Sequence, residues 1–182
     1  MIVAISGPPG SGKTTVAERF GKARGFEFIY AGAAFREMAA DYAMSLADFS
    51  RYAQDHHDVD RDLDERIIAR VKARAAAGAD VVVDGRLQAW LLPKHGIPCF
   101  KVLVDAPLGV RAERVAGREG KSVKEAKQEI RERERSERAR YSRIYGIDVG
   151  DASVFDLVVD SSDKTPDAIV AILEERVKSW TS

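Results

Sequence analysis

The sequence predicts an α/β fold built on a doubly wound, five-stranded parallel sheet, and three observations carry that expectation. Short apolar runs of strand type alternate with segments of helical periodicity, the pattern of parallel strands joined by helical crossovers. A glycine-rich segment, residues 7–14, lies between the first such run and the first helix. Two further stretches hold more helix than a crossover requires, so helical lobes should stand on the sheet. At 182 residues the chain has room for one such domain, and a second independent domain is not expected.

Residues 2–5 are continuously apolar, as a strand covered on both faces should be, and the helix after the glycine segment runs through Val16, Ala17 and Phe20 to about Gly25. Residues 26–30 are rich in aromatic and β-branched side chains and predict a second strand. The next fifty residues read helical: 33–43, then a helix opened by Ser45 with Asp48 completing a capping box, then 60–77 with Gly78 as the stop. Residues 81–83 are the third strand, with Asp84 at its carboxyl end, where ligands gather in such sheets. The fourth is 100–104, followed by Pro107 at the first position of a helix that reaches about Arg118 and breaks at Gly120. Ser122, with Glu125 as its capping-box partner, opens a long helix that ends at Gly146. Its middle, 131–140, has no apolar side chain larger than Ala139, so it should project into solvent or over a ligand and not enter the core. Residues 155–159 form the fifth strand, and Thr165-Pro166 starts a terminal helix through Ile169, Ile172, Leu173 and Val177.

Lysine plus arginine equals aspartate plus glutamate, 29 each, so no global charge points to nucleic acid or a membrane surface. Cys99 is alone, which excludes an internal disulfide and predicts a buried strand thiol. The chain opens on a strand, with no charged n-region or long apolar run, and a cytoplasmic, monomeric protein is expected.

Residues 7–14, Gly7-Pro8-Pro9-Gly10-Ser11-Gly12-Lys13-Thr14, satisfy G-x-x-x-x-G-K-[ST] at every fixed position, and both the preceding strand and the following helix are in place. This is a P-loop of the NTPase type. Its glycines let backbone N–H groups turn toward phosphate oxygens, and the helix N-terminus adds partial positive charge. Together with Thr15, these residues are expected to hold ATP, with Lys13 on the β- and γ-phosphates and the Thr14 hydroxyl on Mg²⁺.

Phosphoryl transfer needs positive charge around the migrating group, and the segment from about 107 to 146 supplies it. Arg114 and Arg118 share one helical face, as do Arg133 and Arg140. The competing explanation is a solvated helix stitched by pairs such as Glu129–Arg133 and Glu134–Arg138. Arg36 and Arg86 could hold an acceptor phosphate, Arg86 more so because Asp84-Gly85-Arg86 lies at a strand end. Asp84 either orients Mg²⁺ through water or only caps the turn. His56 and His57 adjoin Asp55 and Asp58, but their spacing favours a polar loop over a metal site.

With these pieces placed, the chain resembles the nucleoside monophosphate kinases, and among them the archaeal-type cytidylate kinases. The resemblance spans nearly the whole chain and is carried by ISGPPGSGKTT at 5–15, AGAAFRE at 31–37, MSLADFSRYA at 44–53, DRDLDER at 60–66, DGRLQAW at 84–90, REGKSVKEA at 118–126 and RERSERARYSRIYGID at 133–148. It implies a sheet core (1–30, 78–106, 147–182), a monophosphate-binding lobe at about 31–77 and a lid at about 107–146. It further implies transfer of a phosphoryl group from ATP to CMP or dCMP with Mg²⁺. Arg36 and Arg86 would then hold the acceptor phosphate, Arg114 and Arg118 would meet the donor, and Arg133 and Arg140 would bridge the transferred group. Bacterial cytidylate kinases read the base with a Ser and an Asp where this chain has Ala31 and Leu87, so Asp60 and Arg61 become the candidates for that task.

Three rivals can be weighed. A signalling GTPase would need an Asn-Lys-x-Asp stretch, and none is present. An ATP-dependent assembly switch would not need an arginine-lined lid. A sibling P-loop kinase acting on AMP, UMP or another small acceptor is the closest competitor.

Overall fold

The structure, a computed structural model, describes residues 1–180, apart from the side chains of residues 46 and 47. Five strands form one parallel sheet: β1 (Ile2–Ser6), β2 (Glu27–Tyr30), β3 (Val81–Asp84), β4 (Phe100–Asp105) and β5 (Leu157–Asp160). Their spatial order is β2-β3-β1-β4-β5. β1 lies at the centre with all five residues buried, as its unbroken apolar run requires, whereas the edge strand β5 alternates buried and exposed residues. Register pairs Ile5 with Asp84, which sets the carboxyl end of β3 beside the start of the glycine loop.

Eight helices surround the sheet among the described residues: α1 (Lys13–Arg24), α2 (Ala31–Asp41), α3 (Leu46–Asp55), α4 (His57–Ala76), α5 (Gln88–Lys94), α6 (Leu108–Glu119), α7 (Val123–Tyr145) and α8 (Pro166–Lys178). The two-residue period of β1 divides the core in two. Val3 and Ile5 face α1 and α8 with Phe20, Val82, Ile169 and Leu173. Ile2 and Ala4 face the other side with Ile67, Leu91, Leu92 and Tyr141. Two satellite clusters lie apart: Met38, Phe49 and Val59 bind α2, α3 and α4 together, and Ala112, Val115, Ala126 and Ile130 join α6 to α7. No helix among the described residues is long and apolar enough to cross a membrane.

All five strands fall where the sequence places them, and the differences lie in the helices. α5 is not anticipated, because seven residues including Pro93 are too few to show a helical period. α4 begins at His57, three residues early, so the expected polar loop shrinks to the joint residue His56, whose ring stacks on Tyr52. Pro107 precedes α6 with ψ 146° and is not its first residue. The Ser122–Glu125 capping box is complete, with both reciprocal hydrogen bonds formed. At Ser45 only half is made: the Asp48 N–H donates to Ser45 Oγ, and the carboxylate accepts from the same hydroxyl.

The middle of α7 departs most from expectation. Ile130, Glu137 and Tyr141 share one stripe at helical spacing, and all three are buried. Tyr141 packs on the sheet core, and Glu137, 5% exposed, is buried as an ion pair. A helix without aliphatic side chains can enter a protein interior where its charges meet opposite charges.

Phe20 has no exposed surface and meets Phe26 edge to face at 5.4 Å between ring centroids. Phe20→Ala should therefore destabilise the domain by about 3–5 kcal/mol. Denaturant unfolding monitored by circular dichroism measures this, and a loss below about 1 kcal/mol would mean that the α1 layer is looser than its packing indicates.

Candidate active site

β1 delivers the chain into the glycine loop, and α1 leaves it at Lys13. Gly10 and Gly12 are left-handed, with φ 82° and 88°, a conformation that disfavours side chains. A Cβ on Gly10 would also stand 2.7 Å from the Arg111 carbonyl oxygen, and one on Gly7 would collide with the Val104 carbonyl. The loop is thus threaded against β4 and α6, and arginines hold its carbonyl oxygens from outside. Arg111, buried, donates to the oxygens of Pro9 (3.0 Å) and Ala106 (2.8 Å) and to Glu134 of α7 (2.8 Å). Arg114 donates to Ser11 O (3.3 Å) and to Ser161 Oγ and O after β5. Arg86 donates to Gly7 O at 2.5 Å.

At the start of α1, Thr14 Oγ1 donates to Asp84 Oδ2 at 2.5 Å, which ties the helix to the end of β3. Asp84 is 1% exposed, and its Oδ1 has no protein partner. Burial raises the Asp84 pKa, against the opposing pull of Lys13, the Thr14 hydroxyl and Arg86. Lys13 is half-buried, and its ammonium is lowered to about 8, chiefly by desolvation, with Arg86 and Arg133 adding to the fall and Asp84 opposing it. A hydroxyl beside an unpartnered carboxylate oxygen is the donor chemistry a hard cation takes. The described residues hold no cluster of three or more His, Cys, Asp or Glu able to bind a metal alone, so such an ion would need phosphate oxygens and water to complete its shell.

A cleft of about 1070 Å³ opens over the carboxyl ends of the strands, bordered by the loop, α2, α4, α6 and α7. Glu137 organises one wall, accepting from Arg86 Nε at 2.7 Å and from Arg133 Nε at 2.8 Å. Burial alone would raise its pKa, but the two guanidinium groups outweigh that and hold it below the usual carboxylate range. Arg140 pairs with Asp60 at 2.9 Å, and burial raises the Asp60 pKa against this partner. Arg36 lies 5.3 Å above the Tyr30 ring. Asp64, 7% exposed, accepts from Tyr145 Oη at 2.7 Å and from Gln88 Nε2 at 3.2 Å, and burial pushes it up to about 7.

The cleft gathers most of the residues singled out in the sequence: Pro9 to Thr15, Arg36, Asp60, Asp84, Arg86, Arg114, Arg118, Arg133 and Arg140 all line it. Gly7 and Pro8 do not; Gly7 is required for its close approach to β4. Arg61 is not brought to the cleft with them: it is exposed, because the helical period of α4 turns Asp60 and Asp64 inward and Arg61 away. Arg118 is exposed and paired with the adjacent Glu119. Neither Glu129–Arg133 nor Glu134–Arg138 is the pairing found. Glu129 meets Lys121, Glu134 meets Arg111 and Arg138 meets Asp148. Sequence reasoning missed Arg111, Glu137, Asp64 and Gln88. A signal existed for two of them, because Glu137 shares the stripe of Arg133 and Arg140, and Asp64 follows Asp60 by four.

The family model described as "Cytidylate kinase-like family" matches residues 2–163. Among relatives named "Cytidylate kinase", that of Pyrococcus abyssi is 42% identical over 97% of this chain and 93% of its own length. That of Methanopyrus kandleri is 41% identical, with the same shares covered. Of solved structures, an uncharacterized protein from Eubacterium ventriosum superposes with a TM-score of 0.75 at 16% identity, covering 99% of both chains. The shikimate kinase of Bacteroides thetaiotaomicron does so with 0.61 at 13%, covering 98% of both, a likeness of fold alone. With the family match running from β1 past β5 and these identities along nearly the full length, the chain belongs to the cytidylate kinase-like family.

Proposed function

We propose that this protein is a phosphotransferase that moves the γ-phosphoryl group of ATP to CMP or dCMP, giving ADP and CDP or dCDP. The observation that carries the transfer chemistry is the convergence of Lys13, Arg86, Arg133 and Arg140 on one cleft beside the glycine loop. The acceptor base is supported by the relatives, which are named for cytidylate. The donor phosphates lie along residues 9–15, and Arg36 and Arg86 take the acceptor phosphate. Bound at Thr14 and Asp84, Mg²⁺ would supply charge to the β- and γ-oxygens. An acceptor-phosphate oxygen forms the new bond to Pγ as the bond from Pγ to the β-bridging oxygen breaks, and the electron pair leaves with ADP. The acceptor phosphate is already anionic, so the residues supply position and charge and no base is required. Arg114 and Arg118 border the donor side, and Arg133 and Arg140 meet the migrating group once they leave Glu137 and Asp60. In this reading residues 31–77 are the acceptor lobe, residues 107–146 a lid, and the protein a cytoplasmic monomer acting on free nucleotides, not on nucleic acid or membranes. ADP release measured across CMP, dCMP, UMP, AMP, GMP and shikimate tests it: preference for the cytidylates is expected, and preference for AMP, UMP or shikimate overturns the assignment.

Lys13→Ala should lower kcat by about 100-fold or more with the fold intact. In the wild type, ADP affinity should weaken as pH rises through about 8, where the free Lys13 ammonium loses its proton. Calorimetric titration across that range checks this, and an unchanged affinity would remove Lys13 from the phosphate site.

Arg36→Ala should raise KM for the monophosphate far more than for ATP, since it removes a charge-assisted contact to the acceptor alone, whereas Arg86→Ala should raise both, because Arg86 also holds the Gly7 carbonyl of the glycine loop. Steady-state kinetics with each substrate varied in turn decides it: equal effects on both in Arg36→Ala would place that arginine elsewhere, and an unchanged KM for the monophosphate in Arg86→Ala would remove Arg86 from the acceptor site.

Arg133→Ala, whose side chain is solvent-facing, should cut kcat by about 10³-fold, as loss of an arginine finger does, with little change in Tm. Arg140→Ala should also lower Tm, because it strands the buried Asp60 carboxylate. Parallel rate and melting measurements separate the two, and an Arg133→Ala variant with wild-type kcat would exclude that residue from transfer.

A further inference from the structure

Asp64 is a buried carboxyl that the transfer chemistry above does not use. It lies on the acceptor side of the cleft, one turn along α4 from Asp60, and Gln88, 1% exposed, follows the acceptor arginine Arg86 by two residues. Gln88 folds back over the backbone of Gly85, where a Cβ would collide with its amide. There its Oε1 accepts from the Leu87 N–H at 3.2 Å while its Nε2 donates to Asp64. Tyr145 at the end of α7 holds the other Asp64 oxygen. Each Asp64 oxygen and the Gln88 amide keep bonding capacity beyond these contacts, and the neighbouring wall of Phe35 and Leu63 is apolar. A planar, hydrogen-bonding edge set beside apolar side chains is what a flat heterocycle requires.

We propose that Asp64, oriented by Gln88 and Tyr145, is the residue that selects the base of the acceptor, recognising the N3/N4 edge of an aminopyrimidine and rejecting a ketopyrimidine. The inference rests on the cytidylate kinase reading and names how that site distinguishes its substrate. A neutral carboxyl donates its O–H to N3 and accepts from the 4-amino group, whereas uracil presents N3–H and O4, the opposite pattern. An ionised Asp64 would set negative charge against the N3 lone pair of cytosine and would accept from N3–H of uracil. Burial together with the Asp60 carboxylate favours the proton on Asp64, while the Tyr145 and Gln88 donors oppose it. The groups facing Asp64 are Asp60 from α4, itself paired with Arg140, Gln88 from α5 and Tyr145 from α7.

The test is the ratio of kcat/KM for CMP to that for UMP, measured from about pH 6 to about pH 8.5. Ionisation of the acceptor phosphate and of Lys13 affects both substrates and cancels in the ratio. In the wild type the ratio should fall as pH rises through about 7. Asp64→Asn, which keeps a donor and an acceptor without a charge, should retain the preference for CMP and flatten the profile. Asp64→Ala should reduce the ratio by about tenfold or more while KM for ATP stays unchanged. Tyr145→Phe removes a donor to the carboxylate and should move the midpoint to higher pH, which serves if the Ala variant does not fold. A wild-type ratio that is flat with pH, an Asp64→Ala ratio equal to wild type, or an unmoved midpoint in Tyr145→Phe would each overturn the proposal and leave Asp64 as a tether between α4 and α7. A wild type that does not favour CMP at any pH would instead defeat the cytidylate reading itself, and this proposal with it.

Discussion

The shape of the glycine loop depends on a clamp applied to its carbonyl oxygens. Gly7, Pro9 and Ser11 each give their oxygen to a different arginine, Arg86, Arg111 and Arg114, from three separate parts of the fold. A loop in which carbonyls are held outward can turn its N–H groups to an anion, which is how a glycine-rich turn becomes a phosphate nest. Because Arg111 also reaches Glu134 and Arg114 reaches Ser161, the same contacts fasten α6, α7 and the end of β5 to the loop. Positively charged side chains near a P-loop invite assignment to substrate, yet here one group of them first maintains the binding surface.

A second constraint is the concentration of charge around the lysine of the loop. Lys13, Arg86 and Arg133 sit close enough to depress the lysine, and Asp84 and Glu137 are the counterweights. Removing one partner of a buried pair typically costs about 3–5 kcal/mol because the other charge is left without solvation. The acidic residues of the cleft therefore matter as much to its integrity as the basic ones.

How much of this could be read from the chain differs by level. The sheet was legible because strands covered on both faces must be continuously apolar, and residues 2–5 and 81–83 are. The P-loop was legible because its chemistry demands particular residues at fixed spacing. Helix starts at Ser45, Ser122 and Thr165 were legible because capping is local. Partner choice among charges was not. Nothing in the sequence marks Arg111 for Pro9, and although Glu137 shares the stripe of Arg133 and Arg140, only the fold brings it to Arg86. Arg61 shows the complementary limit: it neighbours Asp60 in sequence but lies on a different, exposed face of α4.

The carboxylates now bound to Arg86, Arg133 and Arg140 would give phosphate binding in the proposed reaction a thermodynamic character of its own. Glu137, shared by Arg86 and Arg133, and Asp60, on Arg140, set two negative charges against three positive ones, so a phosphate arriving there would compete with carboxylates and would not meet bare cations. Binding would then be partly an exchange between anions, so the net affinity would be smaller than the strength of each contact alone. The same exchange run backwards would assist departure, because an arginine releasing a product phosphate would have a carboxylate within reach. A site built from free arginines would hold its nucleotides too long; in many enzymes release, not chemistry, limits turnover. In the proposed reaction the internal competitors would thus act as a brake on product retention.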